Sequence, residues 1–224
     1  MARRPVGPPE ADGAPGAPRL GVLGGSFDPV HLAHLIMAEE ARVQLGLARV
    51  LFVPAGLPYL KTSSGVAPIR HRLEMVRLAV SSNPYFEASS LDIDRPGPSY
   101  TVDLLDMLRR SLPAEQEIFF VVGWDSLASL RQWREPERIL EMCWLVGVPR
   151  PGVPQPDLKE LDRVIPGIAK RVIMLDRPAL SISSTEVRER VGRGVSIRYL
   201  VPEAVEQYIV EHGLYRKAGM TVSQ

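Results

Sequence analysis

The chain has 224 residues, 45% of them hydrophobic and 24% charged, and a formal net charge of +1. Length and balance predict one soluble domain with a sizeable core, and the near-neutral charge supplies no global field for nucleic acid or membrane surfaces. No apolar run approaches the roughly 20 residues of a membrane-spanning helix, and the single cysteine, Cys143, excludes an intramolecular disulfide.

Residues 1–18 are rich in Pro, Gly and Ala, lack an apolar signal core, and read as a disordered extension. Leu20–Leu23 reads as a buried strand. Gly24 and Gly25 then permit a sharp turn and close approach of backbone to a ligand. Asp28 and Pro29 predict a helix start with Pro29 in the first turn, which puts His31 and His34 on one helix face. Free N–H groups, a helix N-terminus and two imidazoles suit a phosphate; two surface histidines are the plain alternative. A metal site is disfavoured, because His71, His212 and Cys143 lie in unrelated segments. The first strand and helix therefore predict an anion site at Gly24–His34.

Val50–Val53 is the second strand, followed by a loop in which Lys61 is either a phosphate-binding charge or a solvated lysine. Ile69, Leu73, Val76 and Val80 recur on one helix face. Phe86–Ala88 is a third strand. The loop Arg95–Thr101 leads into a helix carrying Leu104, Leu105, Leu108 and Leu112, with Ser99 as its N-cap. After the fourth strand, Ile118–Val122, comes Gly123-Trp124-Asp125-Ser126, where Asp125 either caps a helix or binds a ribose hydroxyl. Trp133 is either core or a platform for a flat ring. Trp144–Val148 is the fifth strand, with Cys143 a buried filler before it and a Pro-rich surface loop, Pro149–Pro156, after it. Val172–Leu175 is the sixth. In Ile182–Arg188, Ser183 and Glu186 have capping-box spacing, and Arg188 lies one turn inside, in reach of a phosphate. Pro202 opens a last helix through Val205 and Ile209, and Gly213 stops it; residues 217–224 read as a tail.

This alternation predicts an α/β fold: one Rossmann-like, doubly wound parallel sheet with flanking helices over residues 19–216, binding ligand at the carboxyl ends of its strands. The glycine spacing excludes a dinucleotide G-x-G-x-x-G fingerprint, and Ala55 and Leu60 stand where a P-loop ending at Lys61-Thr62 needs glycines.

Gly24-Gly25-Ser26-Phe27-Asp28-Pro29, with His31 and His34, resembles the nucleotidylyltransferase signature, Ala33 replacing the usual glycine of His-x-Gly-His. The Lys61 loop, Pro98-Ser99-Tyr100-Thr101, Gly123-x-Asp125-Ser126 with Trp133, Ser183-Ser184-Thr185 with Arg188, and the final Gly213-Leu214-Tyr215 extend the resemblance from about Leu20 to Arg216. The chain is thereby similar to bacterial nicotinate-nucleotide adenylyltransferases. Tyr59-Leu60-Lys61 departs from the common Pro-Pro-His-Lys but keeps the lysine. The resemblance implies transfer of the adenylyl group of ATP to nicotinate mononucleotide, in cytoplasmic NAD biosynthesis. It implies His31, His34, Lys61 and Arg188 as catalytic residues. Gly24, Gly25, Ser26, Phe27, Gly123, Asp125, Ser183, Ser184 and Thr185 are implied at ATP, and Ser99, Tyr100, Thr101 and Trp133 at the mononucleotide. Mg²⁺ is expected to arrive on ATP phosphates, with no protein-built metal site and no nucleic-acid or membrane partner; a homo-oligomer is compatible with the sequence. Two alternatives stand beside this: adenylylation of nicotinamide mononucleotide, and a silent nucleotide-binding sensor.

Overall fold

A computed structural model describes residues 18–57 and 66–216. The expected extension (except Pro18), Lys61 with its neighbours Tyr59 and Leu60, and the expected C-terminal tail lie outside the described residues. Six strands, β1 (Leu20–Gly25), β2 (Arg49–Pro54), β3 (Phe86–Ala88), β4 (Ile118–Gly123), β5 (Trp144–Val148) and β6 (Val172–Met174), form one sheet in the order β3-β2-β1-β4-β5-β6. Every pairing is parallel.

A parallel sheet is buried on both faces, so its strands read as continuous apolar runs whose alternate residues serve different layers. Leu23, Val50, Phe52, Phe119, Val121 and Val146 face one layer of helices. That layer contains α1 (Leu32–Leu45), α2 (Ile69–Val80), α7 (Ser184–Gly192) and α8 (Glu203–Glu211). Leu20, Val22, Leu51, Phe120, Val122 and Leu145 face the other, with α3 (Thr101–Ser111), α4 (Trp124–Ala128), α5 (Pro136–Met142) and α6 (Leu158–Val164). The direction of winding reverses between the neighbours β1 and β4, whose carboxyl ends are Gly25 and Gly123. Such a switch point leaves a crevice above the sheet.

Three local readings change. The glycines Gly24 and Gly25 are the last residues of β1 rather than a turn, because β1 pairs with β2 all the way to Gly25↔Pro54. Helix α1 begins at Leu32, not at Pro29: His31 is extended (φ −143°, ψ 169°) and serves as its N-cap, and the Asp28–Pro29 peptide is cis. On α2 the buried stripe is Arg72, Met75, Val76, Ala79 and Val80, while Ile69 and Leu73 are only half-buried. An arginine occupies the expected apolar face, and the reason appears below. The last helix follows its pattern, buried through Val205 and Ile209 and ended by Gly213 at φ +59°.

Candidate active site

The switch-point crevice is a cleft of about 560 Å³, within the usual range for small-molecule sites. Of the residues singled out by sequence, Gly24, Gly25, Ser26, His31, His34, Ser99, Tyr100, Thr101, Gly123, Asp125, Trp133, Ser183, Ser184 and Thr185 all line it. They come from the ends of β1 and β4, from the starts of α1, α3 and α7, and, for Asp125 and Trp133, from α4 and the turn after it. Helix α3 follows β3 on one side of the switch, and α7 follows β6 on the other. A ligand lying across the junction thus meets helix N-termini at both ends, each with N–H groups that lack an intrahelical partner.

The two histidines are stacked, ring centroids 3.7 Å apart. His31 N–H donates to His34 Nδ1 at 3.2 Å, which assigns the proton of neutral His34 to Nε2. Phe27 packs edge-on against the His34 ring at 5.0 Å and holds its angle. His31 is buried, 5% exposed, and its Nδ1 has no hydrogen-bond partner among the described residues. Burial, reinforced by the positive charge of Arg150, pushes the His31 imidazole down to about 4, so it is neutral at pH 7. A neutral, unpaired, buried ring nitrogen at the edge of the cleft is a group built to meet a ligand.

Helix α7 begins at Ser183, whose Oγ accepts from Glu186 N–H at 3.1 Å, the cap its sequence predicts. Ser184 Oγ donates to the Pro29 carbonyl at 2.9 Å, which ties this helix start to the loop carrying the histidines. Arg188 reaches the same loop: it donates to the Asp28 carbonyl at 2.7 Å and to Thr185 Oγ1 at 3.3 Å. It stands beside the cleft, not among the residues that line it.

Three assignments made from sequence are revised. Phe27 is 1% exposed and does not line the cleft; its φ of 44° turns the ring into the core, where it supports His34 and Gly25. Ser99 is not the cap of α3, a place taken by Tyr100. Its N–H donates to the Leu57 carbonyl at 2.9 Å and its Oγ accepts from Leu57 N–H at 3.0 Å, so it tethers the first part of the loop after β2. The orphan donors on that side belong to the first turn of α3, from Thr101 onward. Asp125 caps nothing; it lies inside α4 and pairs with Arg150 at 2.7 Å. A Cβ on Gly123 would sit 2.5 Å from Asp125 Oδ1 and displace that carboxylate.

Sequence reasoning missed Arg150, Asp28 and Arg72. Arg150 lines the cleft but is the second residue of the Pro-rich segment read as surface loop; its place two residues after β5, at a carboxyl strand end, was the available signal. Asp28 is 1% exposed and accepts from Ala67 N–H at 3.0 Å and Tyr215 O–H at 2.8 Å. Arg72 is 2% exposed and donates to the carbonyls of Ser26, Ala55, Gly56 and Ala67 between 2.7 and 3.1 Å. The charged intruder on the apolar face of α2 is thus the clamp joining the loops after β1 and β2.

Residues 22–190 match the cytidylyltransferase-like family. A Roseiflexus castenholzii protein named "Probable nicotinate-nucleotide adenylyltransferase" is 50% identical over 198 residues, 88% of this chain and 98% of its own. One of the same name from Dehalococcoides mccartyi is 46% identical over 199 residues, 89% and 98% of the two chains. This chain belongs to the nicotinate-nucleotide adenylyltransferases of that family. At 19% identity, the nicotinic acid mononucleotide adenylyltransferase of Plasmodium falciparum, solved in complex with NaAD, shares the fold with a TM-score of 0.73 over 88% of this chain and 97% of that one.

No described helix is long and apolar enough to cross a membrane, and the described residues contain no group of three or more His, Cys, Asp or Glu side chains able to hold a metal. Cys143 is buried, and desolvation pushes its thiol up to about 12, an inert filler as its apolar setting predicts.

Proposed function

We propose that the chain catalyses adenylyl transfer from ATP to nicotinate mononucleotide, yielding nicotinate adenine dinucleotide and pyrophosphate, as a cytoplasmic step of NAD synthesis. The names of its close relatives support this. The structural observation that carries it is the stacked pair His31/His34 at the switch point, with the start of α7 beside it and the start of α3 across it. A phosphate oxygen of the mononucleotide forms a bond to the α-phosphorus of ATP, and the bond from that phosphorus to the β-bridging oxygen breaks in line. The attacking phosphate is already anionic at neutral pH, so no base is required. Catalysis then consists of holding two polyanions together and stabilising the departing pyrophosphate.

His34 Nε2–H and the neutral His31 serve as preorganised hydrogen-bonding groups rather than proton carriers. Arg188 and the first turn of α7 are suited to the triphosphate; Lys61 is assigned to the same anions from the family resemblance. The α3 start and Trp133, half-buried and edge-on to Phe120 at 6.3 Å, are suited to the pyridine carboxylate and ring. Mg²⁺ fits as a complex with ATP phosphates, since Asp92 and Asp125 are the carboxylates lining the cleft and, among the described residues, no three His, Cys, Asp or Glu side chains come together to hold a metal. Bound there, it neutralises phosphate charge.

The test is pyrophosphate release with ATP and each mononucleotide. A neutral amide forfeits a charge-assisted hydrogen bond worth about 1.5–3 kcal/mol, so catalytic efficiency with the acid should exceed that with the amide at least tenfold. Equal efficiencies would refute the acid assignment, and no release with either would make the chain a nucleotide-binding sensor.

A further inference from the structure

The last described segment of the chain reaches under the cleft. After α8 ends, Gly213 (φ +59°) and Tyr215 (φ +64°) turn the backbone so that the Tyr215 side chain packs on the core layer of α1 and α2. A positive φ at a tyrosine is costly and persists only where the surroundings demand it. What demands it here is Asp28, 187 positions earlier, whose Oδ1 accepts a hydrogen bond from the Tyr215 O–H at 2.8 Å. The other carboxylate oxygen, Oδ2, lies 3.6 Å from Arg188.

We propose that Tyr215 is a positioning residue for the ATP end of the site, acting through Asp28 to set the angle at which Arg188 is presented along the start of α7. The proposal rests on the adenylyl-transfer reading for its ligand. Asp28 is 1% exposed, so water does not replace a lost donor easily. With Tyr215 O–H in place, Oδ1 is satisfied by two donors, leaving Oδ2 toward the guanidinium. Arg188 is then held at two points, the Asp28 carbonyl and Thr185 Oγ1, and Thr185 lines the cleft. Without the phenol O–H, Oδ1 keeps only Ala67 N–H, and the carboxylate is free to turn toward Arg188 Nη1, already 3.6 Å from Oδ2, drawing the guanidinium down from Thr185 and the cleft. Burial and the negative charge of Asp28 push the ionisation of Tyr215 far up, so the phenol remains a donor throughout the working pH range.

The variant is Tyr215→Phe, which keeps the ring and removes one oxygen. Binding of ATP with Mg²⁺ and of nicotinate mononucleotide is measured separately by calorimetry, beside thermal unfolding. Expected are a three- to tenfold weaker ATP Kd, a mononucleotide Kd within twofold of the parent, and a loss of a few degrees in Tm. A tyrosine that merely staples the chain terminus would lower Tm without separating the two ligands. The decisive arm repeats the substitution in an Arg188→Ala background, where the ATP effect should vanish while the Tm loss persists. Equal loss for both ligands, no loss of ATP affinity, or an ATP loss that survives removal of Arg188 overturns the proposal. Should Tyr215→Phe not fold, Asp28→Asn tests the link from Asp28 to Arg188: it removes the charge facing the guanidinium, so ATP affinity should fall while mononucleotide affinity holds, and an unchanged ATP Kd overturns the proposal. A parent that binds ATP but releases no pyrophosphate fails the functional reading alone and leaves this test standing; a parent that does not bind ATP fails both.

Discussion

His31 carries a consequence for acid stability. Its imidazole is 5% exposed and is pushed down from 6.5 to about 4 by burial, with Arg150 adding a like charge. In the unfolded chain the same group takes up a proton near 6.5. Between those values the unfolded state binds one more proton than the folded state, so stability falls as pH falls. It is unaffected above pH 7, declines through 6.5, and levels off below about 4. The full span of 2.5 pH units corresponds to about 3 kcal/mol, and lowering the pH from 7 to 5 realises about 2 kcal/mol of it. Other groups titrate over this range, so the measurement is a difference: urea unfolding of the parent and of His31→Gln at pH 7, 6 and 5. The parent should lose about 2 kcal/mol more than the variant, or roughly 4–8 °C in Tm for a domain of this size. Excess ATP should shrink the difference, because a triphosphate beside the ring offsets Arg150 and raises the proton affinity of the folded state. If the two proteins lose stability in parallel within about 0.5 kcal/mol, or if His31 titrates near 6.5 by NMR, the ring is hydrated and the argument for a neutral, preorganised imidazole fails.

His34→Ala removes the Nε2–H donor and should cut turnover by about 10²–10³ with circular dichroism and Tm near the parent's; turnover within threefold would make His34 peripheral. Arg188→Ala should raise the KM for ATP and leave that for the mononucleotide unchanged, and Arg188→Lys should recover only part, since a point charge cannot engage Asp28 and Thr185 as a fork does. An unchanged ATP KM in Arg188→Ala would remove it from the site.

The sheet was legible in the sequence because parallel strands are apolar on both faces, and their runs at Leu20, Val50, Phe86, Ile118, Trp144 and Val172 stand out from the helices between them. The glycine and histidine string was legible because such a combination has few other uses. What sequence could not give is the direction in which a known residue points. Phe27 belongs to the signature, yet a backbone φ of 44° sends its ring into the core. Ser99 has the right chemistry for a cap, and its bonds to Leu57, 42 positions away, are invisible locally. Arg72 broke the apolar stripe of α2 in plain view. Its meaning lies in four carbonyls from two other loops, which only the folded chain assembles.

The two arginines at the cleft differ in how firmly they are held, and on the proposed reading that difference divides their labour. Arg150 and Asp125 pair at 2.7 Å with side chains 46% and 43% exposed. An ion pair that exposed is worth about 0.2–1 kcal/mol, so exchanging Asp125 for a phosphate costs almost nothing. Arg188 faces a carboxylate that is 2% exposed, and its second bond is to the buried Asp28 backbone. Arg188 keeps a 2.7 Å bond to the Asp28 carbonyl and lies 3.6 Å from its carboxylate, contacts less open to water than the Arg150–Asp125 pair, so it is the more firmly held of the two. A site that must admit two polyanions and release a dinucleotide and pyrophosphate needs both kinds of cation. On the proposed function, the fixed one, set through Asp28, suits the ATP phosphates beside the start of α7. The loosely held one, exposed and paired only with Asp125, suits an incoming charge that competes with that carboxylate.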